Sequence, residues 1–402
     1  MIRRFGIAIA GCGPAGLASA LLLHRAGHDV TLFERFEQAQ PIGSGLMLQP
    51  TGLAVLGRLG LADRLIRQGA RINRLRGETA DNGRVILDVH YAALGREDRF
   101  GIGIHRADLF ATLFDSVAAA GIPVRTSQTI TGSQSVGPQR HLLLADGSRS
   151  EPFDLIVDTL GSRSVLAPPT GRDLAYGALW ATLDWVDDAP FDWGALQQRY
   201  QRASKMIGIL PLGAPGTSGR RQLAFFWSLR ADQLDAWKAA GLAAWKTEVL
   251  SLWPECAPLL DQVTDPAQLT FARYAHRTLP RPVESALIHI GDAWHSASPQ
   301  LGQGANMALL DAWALAKALD EQDDLDAGLA HAIALRRRHV LLYQALTALF
   351  TPVYQSDSRL IPLARDRIVG PLSKLWPATW IQAALVSGLV GSPLPPLGLE
   401  DA

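Results

Sequence analysis

The sequence has two cysteines and no net charge, and each shortage excludes broad classes of protein. Cys12 and Cys256 are the only cysteines in 402 residues. This excludes a disulfide framework and a CxxC site and predicts a reducing, cytoplasmic compartment. The 38 basic and 38 acidic residues cancel, so there is no electrostatic basis for binding nucleic acid. The sequence also has neither an HExxH zinc motif nor a GxSxG nucleophile motif, and we predict no metal site.

Long apolar runs are missing as well. No uninterrupted run reaches the roughly 18 residues that a membrane-spanning helix needs. The basic start and the apolar run up to Leu23 resemble a signal peptide, but Gly11, Gly13 and Pro14 interrupt that run. We therefore expect this stretch to form the first strand and helix of the fold.

Residues 5–34 have the pattern of a βαβ dinucleotide-binding unit. An apolar strand is followed at once by a glycine-rich turn and an apolar helix, and a second strand, residues 30–33, ends at Glu34. A carboxylate at this distance from the glycines accepts a ribose hydroxyl. We predict an adenine dinucleotide here, with an ordinary glycine turn as the alternative. The predicted cofactor-binding residues are Gly11, Gly13, Ala15, Gly16, Glu34 and Arg35.

A second glycine-rich stretch, residues 291–306, lies late in the chain. It stands between a predicted buried strand at residues 286–290 and a predicted helix at residues 307–319. Small residues such as Gly302, Gly304 and Ala305 let backbone N–H groups approach a ligand. Asn306 is a plausible N-cap, and the positive end of the helix would point at that ligand.

Together these two stretches resemble the class A flavoprotein monooxygenases, the para-hydroxybenzoate hydroxylase-like group. In that family the first stretch holds the ADP half of FAD and the second holds the ribityl and isoalloxazine half. A further family element, an arginine at the head of a helix, matches Arg106. The resemblance covers most of residues 1–350. The matching residues of the second stretch and the helix after it are Gly291, Asp292, His295, Pro299, Gly302, Gly304, Asn306, Asp311 and Ala312.

The resemblance implies a reaction and roles for these residues. It implies that FAD, reduced by NADH or NADPH, reacts with O2 to form a C4a-(hydro)peroxyflavin that oxygenates an aromatic or lipophilic small molecule. Arg106 and Asp292 would contact the pyrophosphate–ribityl region, residues 302–306 the flavin ring, and Pro299 its reacting edge. His295 is either a general acid or base or, as we favour, a residue that orders the loop by bonding to backbone.

Two other functions remain open on the same scaffold. One is a flavin oxidase or dehydrogenase with altered nicotinamide use, and the other is a retained FAD domain that serves as a non-enzymatic scaffold. An intact flavin-ring motif at residues 291–306 argues against the scaffold. A Trp-x-Trp-x-Ile signature is missing, which makes a halogenase the least expected enzyme.

One element of the family pattern is altered. The family follows a strand, here residues 154–157, with Gly-Ala-Asp-Gly-x-x-Ser and then an arginine. Leu160 stands in the place of the acid and Ala167 near the place of the arginine, although Gly161 and Ser164 keep the frame. The resemblance implies a role for this motif in nicotinamide docking, so we predict altered use of the reductant. The alternative is that Asp158 or Arg163 takes over the polar role.

The predicted fold class is α/β with interleaved domains. A Rossmann-like FAD-binding domain with a parallel sheet takes residues 1–70, 99–167 and 283–345, and includes a flavin-facing loop at residues 42–50. A mostly antiparallel substrate domain takes residues 71–98 and 168–282, and a C-terminal helical segment takes residues 346–402. Asp81-Asn82-Gly83 indicates a hairpin. Within the substrate domain we predict strands at 178–185, 206–212 and 223–229 and a helix near 231–252.

Aromatic residues on these strands are the candidate substrate contacts. Trp180, Phe225, Trp227 and Tyr274 suit an aromatic or apolar substrate beside a flavin. Packing between sheet and helix is the alternative.

The C-terminal segment is apolar but too interrupted to span a bilayer. Residues 354–366 resemble the tail of the ubiquinone-biosynthesis hydroxylases in the same family. We expect the segment to cap the other domains. The alternative is an apolar surface that admits a lipophilic substrate, touches a membrane peripherally or forms a homodimer, so a monomer and a homodimer both remain open.

Overall fold

A six-stranded sheet forms the centre of the nucleotide-binding part of the structure. The computed structural model describes residues 4–38, 45–96, 98–214, 219–370 and 374–400. In spatial order the strands are β17 (Val283–Glu284), β18 (Leu287–His289), β11 (Leu155–Asp158), β1 (Gly6–Ala10), β2 (Asp29–Phe33) and β8 (Val124–Arg125). All neighbours pair parallel except β17 and β18 at the edge.

The helices of this part pack on the sheet and on one another through apolar residues at helical spacing. The first of them starts at a proline, whose fixed φ suits the first helical position. It contacts β1, β2 and the two longer helices beside it. The helices of this part are α1 (Pro14–Arg25), α2 (Pro50–Arg58), α3 (Ala62–Gln68), α4 (Arg106–Ala119) and α7 (Gly304–Glu321).

Two small sheets lie at the borders of this part. One is an antiparallel hairpin of β9 (Ile130–Val136) and β10 (Gln139–Leu144). The other has three antiparallel strands in the order β3 (Gly45–Leu48), β7 (Gly101–His105) and β4 (Ala70–Ile72).

An eight-stranded sheet forms the second large layer. Its strands, in spatial order, are β19 (His295–Ser296), β16 (Thr270–Thr278), β12 (Arg172–Asp184), β15 (Gln222–Arg230), β14 (Lys205–Gly213), β13 (Ala195–Gln201), β5 (Arg74–Thr79) and β6 (Val85–His90). Every pair is antiparallel except β13 with β5. The sheet thus joins strands from three separate stretches of the chain.

The two faces of this sheet meet different partners because side chains alternate along each strand. Phe225 and Trp227 point to the outer face, where α5 (Leu234–Leu252) and α6 (Ala257–Leu260) cover them and Trp245 joins the cluster. Phe226 points the other way, and its ring centroid lies 4.7 Å from that of Trp180. This inner face meets β3 of the nucleotide-binding part.

Helices and short turns end the chain. They are α8 (Leu325–Tyr354), α9 (Leu360–Ala364), a five-residue π-helix (Arg365–Val369) and α10 (Ala378–Val386). Asp324 caps α8 by accepting from the Ala327 N–H at 2.9 Å. Within the described ranges, no helix is long and apolar enough to cross a membrane.

The structure confirms the predicted fold class, with a parallel and a mostly antiparallel sheet and C-terminal helices. The three predicted substrate-domain strands correspond to β12, β14 and β15, and the hairpin turn joins β5 to β6. Strand β13 was not predicted because its Gln-rich sequence lacks an apolar alternation. Of the predicted flavin-facing loop at residues 42–50, residues 42–44 lie outside the described residues, and the rest is not a loop but forms β3 and the start of α2. The domain boundaries stay a prediction.

Candidate active site

The N-terminal glycine turn is built for close approach between β1, α1 and a ligand. Gly11 has a φ of +104°, which disfavours a side chain. A Cβ on Gly16 would lie 2.0 Å from the Gly11 carbonyl oxygen, so only glycine lets α1 come this near β1. A Cβ on Gly13 would meet no atom within 4 Å. The turn therefore leaves open space at the N-terminus of α1, which fits a pyrophosphate.

Glu34 stands beside this turn, directly after β2. Its Oε2 accepts from the Cys12 N–H at 3.1 Å and its Oε1 from the Phe36 N–H at 3.2 Å. Burial and the nearby Glu34 charge raise the pKa of the Cys12 thiol to about 12, so this cysteine stays a neutral thiol. The Arg35 guanidinium lies over the Phe36 ring, 4.6 Å from its centroid. The acid is thus fixed next to the turn where a ribose is expected.

Asn306 is not the N-cap that the sequence suggested. Helix α7 already begins at Gly304, with Gln303 before it. Gly304 and Ala305 adopt the helical conformation without a capping side chain. The helix therefore starts before Asn306, which falls within its first turn. Its fully buried amide accepts from the Gln49 N–H at 2.8 Å and donates to the Met47 carbonyl at 3.1 Å. Asn306 therefore ties the late loop to β3 and the start of α2.

His295 is held by a carboxylate and not by backbone. Its Nε2 donates to Asp311 Oδ2 at 2.6 Å, and the same oxygen accepts from the Gly291 N–H at 2.9 Å. Arg336 donates to the other oxygen, Oδ1, at 2.8 Å. All three ionisable side chains are buried. The structural role favoured for His295 agrees with this geometry. The predicted backbone partner was wrong, because the ring meets the Asp311 side chain on α7 instead.

The network continues to the C-terminal segment. Arg336 Nη1 donates to His339 Nδ1 at 2.9 Å, and His339 Nε2 donates to the Gly388 carbonyl at 3.0 Å. Desolvation raises the pKa of Asp311, but His295 and Arg336 outweigh it and lower that pKa to about 2. Desolvation and the Arg336 charge lower the pKa of His339 to about 3. The late loop is thus held in place by hydrogen bonds to a charged Asp311, and the network ends at a neutral His339.

Asp292 and Arg106 approach the site from two different elements. Asp292 is open to solvent at the start of the late loop, although the protein around it raises the pKa of its carboxyl by desolvation, and His295 and Arg106 oppose that rise. A Cβ on Gly304 would lie 3.9 Å from Asp292 Oδ1. Arg106 is the exposed first residue of α4 and has no acidic hydrogen-bond partner within the described chain. The two charges can therefore both reach a ligand.

Pro299, Gly302 and Ala305 complete the late loop. Pro299 is exposed and begins a 3₁₀ turn that ends at Gly302, where φ is +61° and the N–H donates to the Pro299 carbonyl at 3.0 Å. Gly304 and Ala305 form the first residues of α7. Their N–H groups have no preceding helical turn to bind, so they are free to face an anionic ligand.

The altered middle motif uses Asp158 internally. Asp158 is fully buried, and its Oδ2 accepts from His289 Nδ1 and from Ser164 Oγ, each at 2.6 Å. Its Oδ1 accepts from the Leu160 N–H at 3.0 Å. The half-buried Leu160 side chain packs on an apolar cluster that includes Phe33. Asp158 therefore holds the loop in place and is not available to a nucleotide.

Arg163 stands where the middle motif opens to solvent. It is exposed and lines a cavity of about 380 Å³ that also includes Arg277 and Asp292. Arg277 donates to the Ser162 carbonyl at 2.6 Å, and lines a second groove of about 470 Å³ with Arg172 and His276. Of the two alternatives for the missing acid, only Arg163 is placed at an open surface. Arg277 was not predicted, and no local motif marks it.

The aromatic candidates divide between the two faces of the eight-stranded sheet. Trp180 and Tyr274 lie on the inner face, and Trp180 Nε1 donates to the Tyr274 hydroxyl at 2.9 Å. Burial raises the pKa of Tyr274 to about 12, opposed by the hydrogen bond from Trp180 and by the Arg106 charge. Phe225 and Trp227 were wrongly assigned to the substrate side, because strand alternation turns them into the core with α5. Their neighbour Phe226 occupies the inner face instead.

Residues 4–147 and 185–327 match the sequence model of the FAD binding domain family. The chain belongs to the class A FAD-dependent monooxygenase family. This flavoprotein family membership confirms the expected FAD cofactor and the expectation of an oxidoreductase. The residues that could hold FAD are the turn at 11–16, Glu34, Arg106, Asp292 and the loop at 302–306.

Two relatives and one solved structure illustrate the match. The 3-amino-4-hydroxybenzoate 2-monooxygenase of Streptomyces cremeus is 26% identical over 341 residues, 79% of each chain. The 3-hydroxybenzoate 6-hydroxylase of Klebsiella oxytoca is 27% identical over 345 residues, 81% of this chain and 82% of that one. The crystal structure of Klebsiella pneumoniae HpxO complexed with FAD and uric acid has a TM-score of 0.80 at 20% identity, covering 97% of this chain and 98% of the other. This structural likeness shows the shared fold.

Proposed function

We propose that this flavoprotein is a hydroxylase that inserts one oxygen atom from O2 into an aromatic or lipophilic small molecule, with NADH or NADPH as the reductant. One observation carries the proposal. Asn306 binds the Met47 backbone, and the Met47 side chain packs with Leu210 and Ala224 on the inner face of the eight-stranded sheet. The flavin loop and the aromatic sheet face are therefore joined through β3, in addition to the direct pairing of β19 with β16.

FAD would be held along its whole length by residues from three separate stretches of the chain: the N-terminal βαβ unit, the start of α4, and the late loop with α7. The turn at 11–16 and Glu34 are placed for the ADP half, and Arg106 and Asp292 for the pyrophosphate–ribityl region. The N-terminus of α7 would stabilise negative charge on the flavin ring. When reduced, the flavin supplies the chemistry with O2, and the chain supplies position and exclusion of water. No side chain has to act as the nucleophile.

The substrate would lie between the late loop and the inner sheet face. Trp180, Phe226 and Tyr274 offer apolar rings there, and the Tyr274 hydroxyl already accepts a bond from Trp180. Tyr274, whose pKa burial raises further above the ordinary tyrosine value, is a neutral hydrogen-bond donor at pH 7. Such a face suits an aromatic ring with one polar substituent. Relatives named as hydroxylases of hydroxybenzoates fit the same substrate class.

The reductant would dock beside the middle motif, at the rim of the cavity that Arg163 and Arg277 share with Asp292, the residue proposed for FAD. Arg163 and Arg277 stand at its wall. Arg277 also pairs with Asp173 at 3.1 Å, which leaves Arg163 as the cation without an acidic partner among the described residues. Guanidinium groups bind phosphates in a bidentate way. Because Asp158 and Leu160 face inward, these arginines take the place of the family's acid. We expect flavin reduction by NADH or NADPH that is slow or that depends on bound substrate.

The decisive experiment couples reductant use to product. The purified yellow protein is mixed with NADH or NADPH and a panel of hydroxylated aromatic acids under isotopically labelled O2. We expect substrate-dependent oxidation of the reductant and one labelled oxygen atom in the product. Reductant oxidation that yields only hydrogen peroxide with every substrate would instead favour the oxidase alternative. An inert flavin with all reductants and substrates would contradict both enzymes.

A further inference from the structure

Residues 360–370 bury a polar side chain and expose apolar ones. An element that only covers a core would do the opposite, with its apolar side chains buried and its polar ones in solvent. Arg365 is 2% exposed. Its guanidinium lies 5.2 and 5.5 Å from the ring centroids of Tyr200 and Tyr354. It also donates to two backbone carbonyl oxygens, each at 3.0 Å. This arginine therefore anchors the segment and leaves its apolar side chains outside.

The exposed side chains continue into the following helix. Trp376 is 83% exposed and Ile368 58%. The π-helix and α10 both contact β6, and α9 contacts α8, so these side chains gather beside one edge of the eight-stranded sheet. Soluble proteins rarely expose so many large apolar side chains together without a partner. We call this the C-terminal apolar surface, and its main residues are Leu360, Leu363, Ile368, Leu375, Trp376 and Trp380.

Once the ion-paired side chains are set aside, the charged residues that remain between positions 357 and 374 are all positive. Asp366 accepts from Arg365 at 2.7 Å, and Asp357 pairs with Arg230. Exposed Arg359, Arg367 and Lys374 have no acidic partner among the residues that the structure describes. The free charge beside the C-terminal apolar surface is therefore positive.

We propose that the C-terminal apolar surface docks on an anionic phospholipid bilayer. Apolar side chains flanked by cations, with a tryptophan at the most exposed point, have the chemistry of a membrane interface. A second copy of the chain fits less well. A two-fold contact through this surface would bring Arg359, Arg367 and Lys374 of one copy against those of the other, with no free acid to balance them.

This docking would bring lipid close to the substrate side of the sheet. Tyr354, which contacts Arg365, packs with Phe226 and Trp180 on the inner face. The inference does not depend on the proposed hydroxylation, because vesicle binding is measured on the FAD-loaded protein without a reductant. A protein that binds vesicles but fails to hydroxylate would leave this inference intact.

The test is sedimentation with vesicles of phosphatidylcholine, with and without phosphatidylglycerol. We expect binding to the anionic vesicles that weakens with salt. Arg367→Gln with Lys374→Gln should weaken it by roughly fivefold per charge at low salt. Ile368→Ser should weaken it about tenfold through lost apolar burial. Brominated lipid should quench a fluorescence component that Trp376→Phe removes.

Two control variants keep the result interpretable. Val136→Ser changes an exposed apolar side chain on the β9–β10 hairpin, and Arg338→Gln an exposed cation on α8. Both should bind vesicles like the parent, and all variants should keep their FAD and melting temperature. Binding to neither vesicle, or equal binding by every variant, would overturn the proposal. So would a parent dimer that the same Ile368 and Trp376 variants dissociate, because the surface would then be the dimer contact.

Discussion

Among single residues, Asp292 is the one on which we expect FAD affinity to depend most directly. It is the exposed carboxylate of the late loop, near Arg106 and Gly304. Asp292→Ala removes a hydrogen-bond acceptor for a ribityl hydroxyl, which is worth on the order of 1–3 kcal/mol. We expect FAD to bind about five- to 150-fold more weakly in a fluorescence titration. Asp146→Ala, on the distant turn that follows β10, is the control, and unchanged affinity in the Asp292 variant would refute this role.

Arg163 is the residue through which we expect the reductant to be recognised. Arg163→Gln removes one cation from the 380 Å³ cavity without touching a buried contact. A charge-assisted bond of about 1.5–3 kcal/mol predicts a KM for NADH or NADPH raised roughly tenfold or more, with FAD content unchanged. Arg149→Gln, an exposed arginine on the hairpin side, should leave the KM unchanged. An equal KM in both variants would place the reductant elsewhere.

Because Leu160 lies outside this cavity, an acid introduced at its position should not improve nicotinamide docking. Leu160 packs on the apolar cluster with Phe33 and does not line the cavity. Leu160→Asp would therefore place a carboxylate in a half-buried apolar setting. We expect a lower melting temperature and no gain in the rate of flavin reduction by NADH. A faster stopped-flow reduction in this variant would show that the side chain can turn towards the nucleotide.

Among whole elements, the junction of α7, α8 and the C-terminal turn responds to pH through His339. Its folded pKa of about 3 lies below the 6.5 of an unperturbed histidine. Between these values the unfolded chain binds more protons, so stability rises with pH and is lost on acidification. From pH 6.5 down to about 4.5 the loss should approach about 1.4 kcal/mol per pH unit.

Thermal unfolding across this pH range tests the assignment. His339→Gln has no titrating ring and should show a flatter dependence of melting temperature on pH. The contribution of Asp311, with a pKa of about 2, is lost only at more acidic pH, below about 4. Parallel pH curves for the parent and the variant would mean that His339 is not the responsible group.

At the scale of the whole molecule, the C-terminal segment supports the late loop and α7, which we propose hold FAD. Gln303 donates to the Val386 carbonyl at 2.5 Å, and Trp313 to the Leu397 carbonyl at 2.8 Å. Leu385, Leu394 and Leu399 are buried in the core with α7. Truncation after Gly370 exposes that core, so we expect an insoluble or FAD-free protein by gel filtration and absorbance. A chain ending at Glu400 should stay yellow, and a folded, yellow product of the larger truncation would refute the capping role.

The sequence by itself determined features whose residues lie close together along the chain. The glycine turn at 11–16, the helix start at Arg106 and the Asn82-Gly83 hairpin are where the motifs predicted them, because local φ and capping preferences decide such features. The two flavoprotein motifs likewise indicated the family correctly. Neighbours along the chain carry enough information for these features.

Only the tertiary structure decided which distant partners each site residue meets. Phe226, not Phe225, lies on the inner face of the eight-stranded sheet because a one-residue change of register reverses every side chain of a strand, and the position of α5 decides the face. Asn306 binds Gln49 and Met47, more than 250 positions earlier in the chain, contacts that no local pattern specifies. The physical reason is the same in each case. Packing between distant segments, and not local preference, determines which polar groups are paired and which apolar faces are covered.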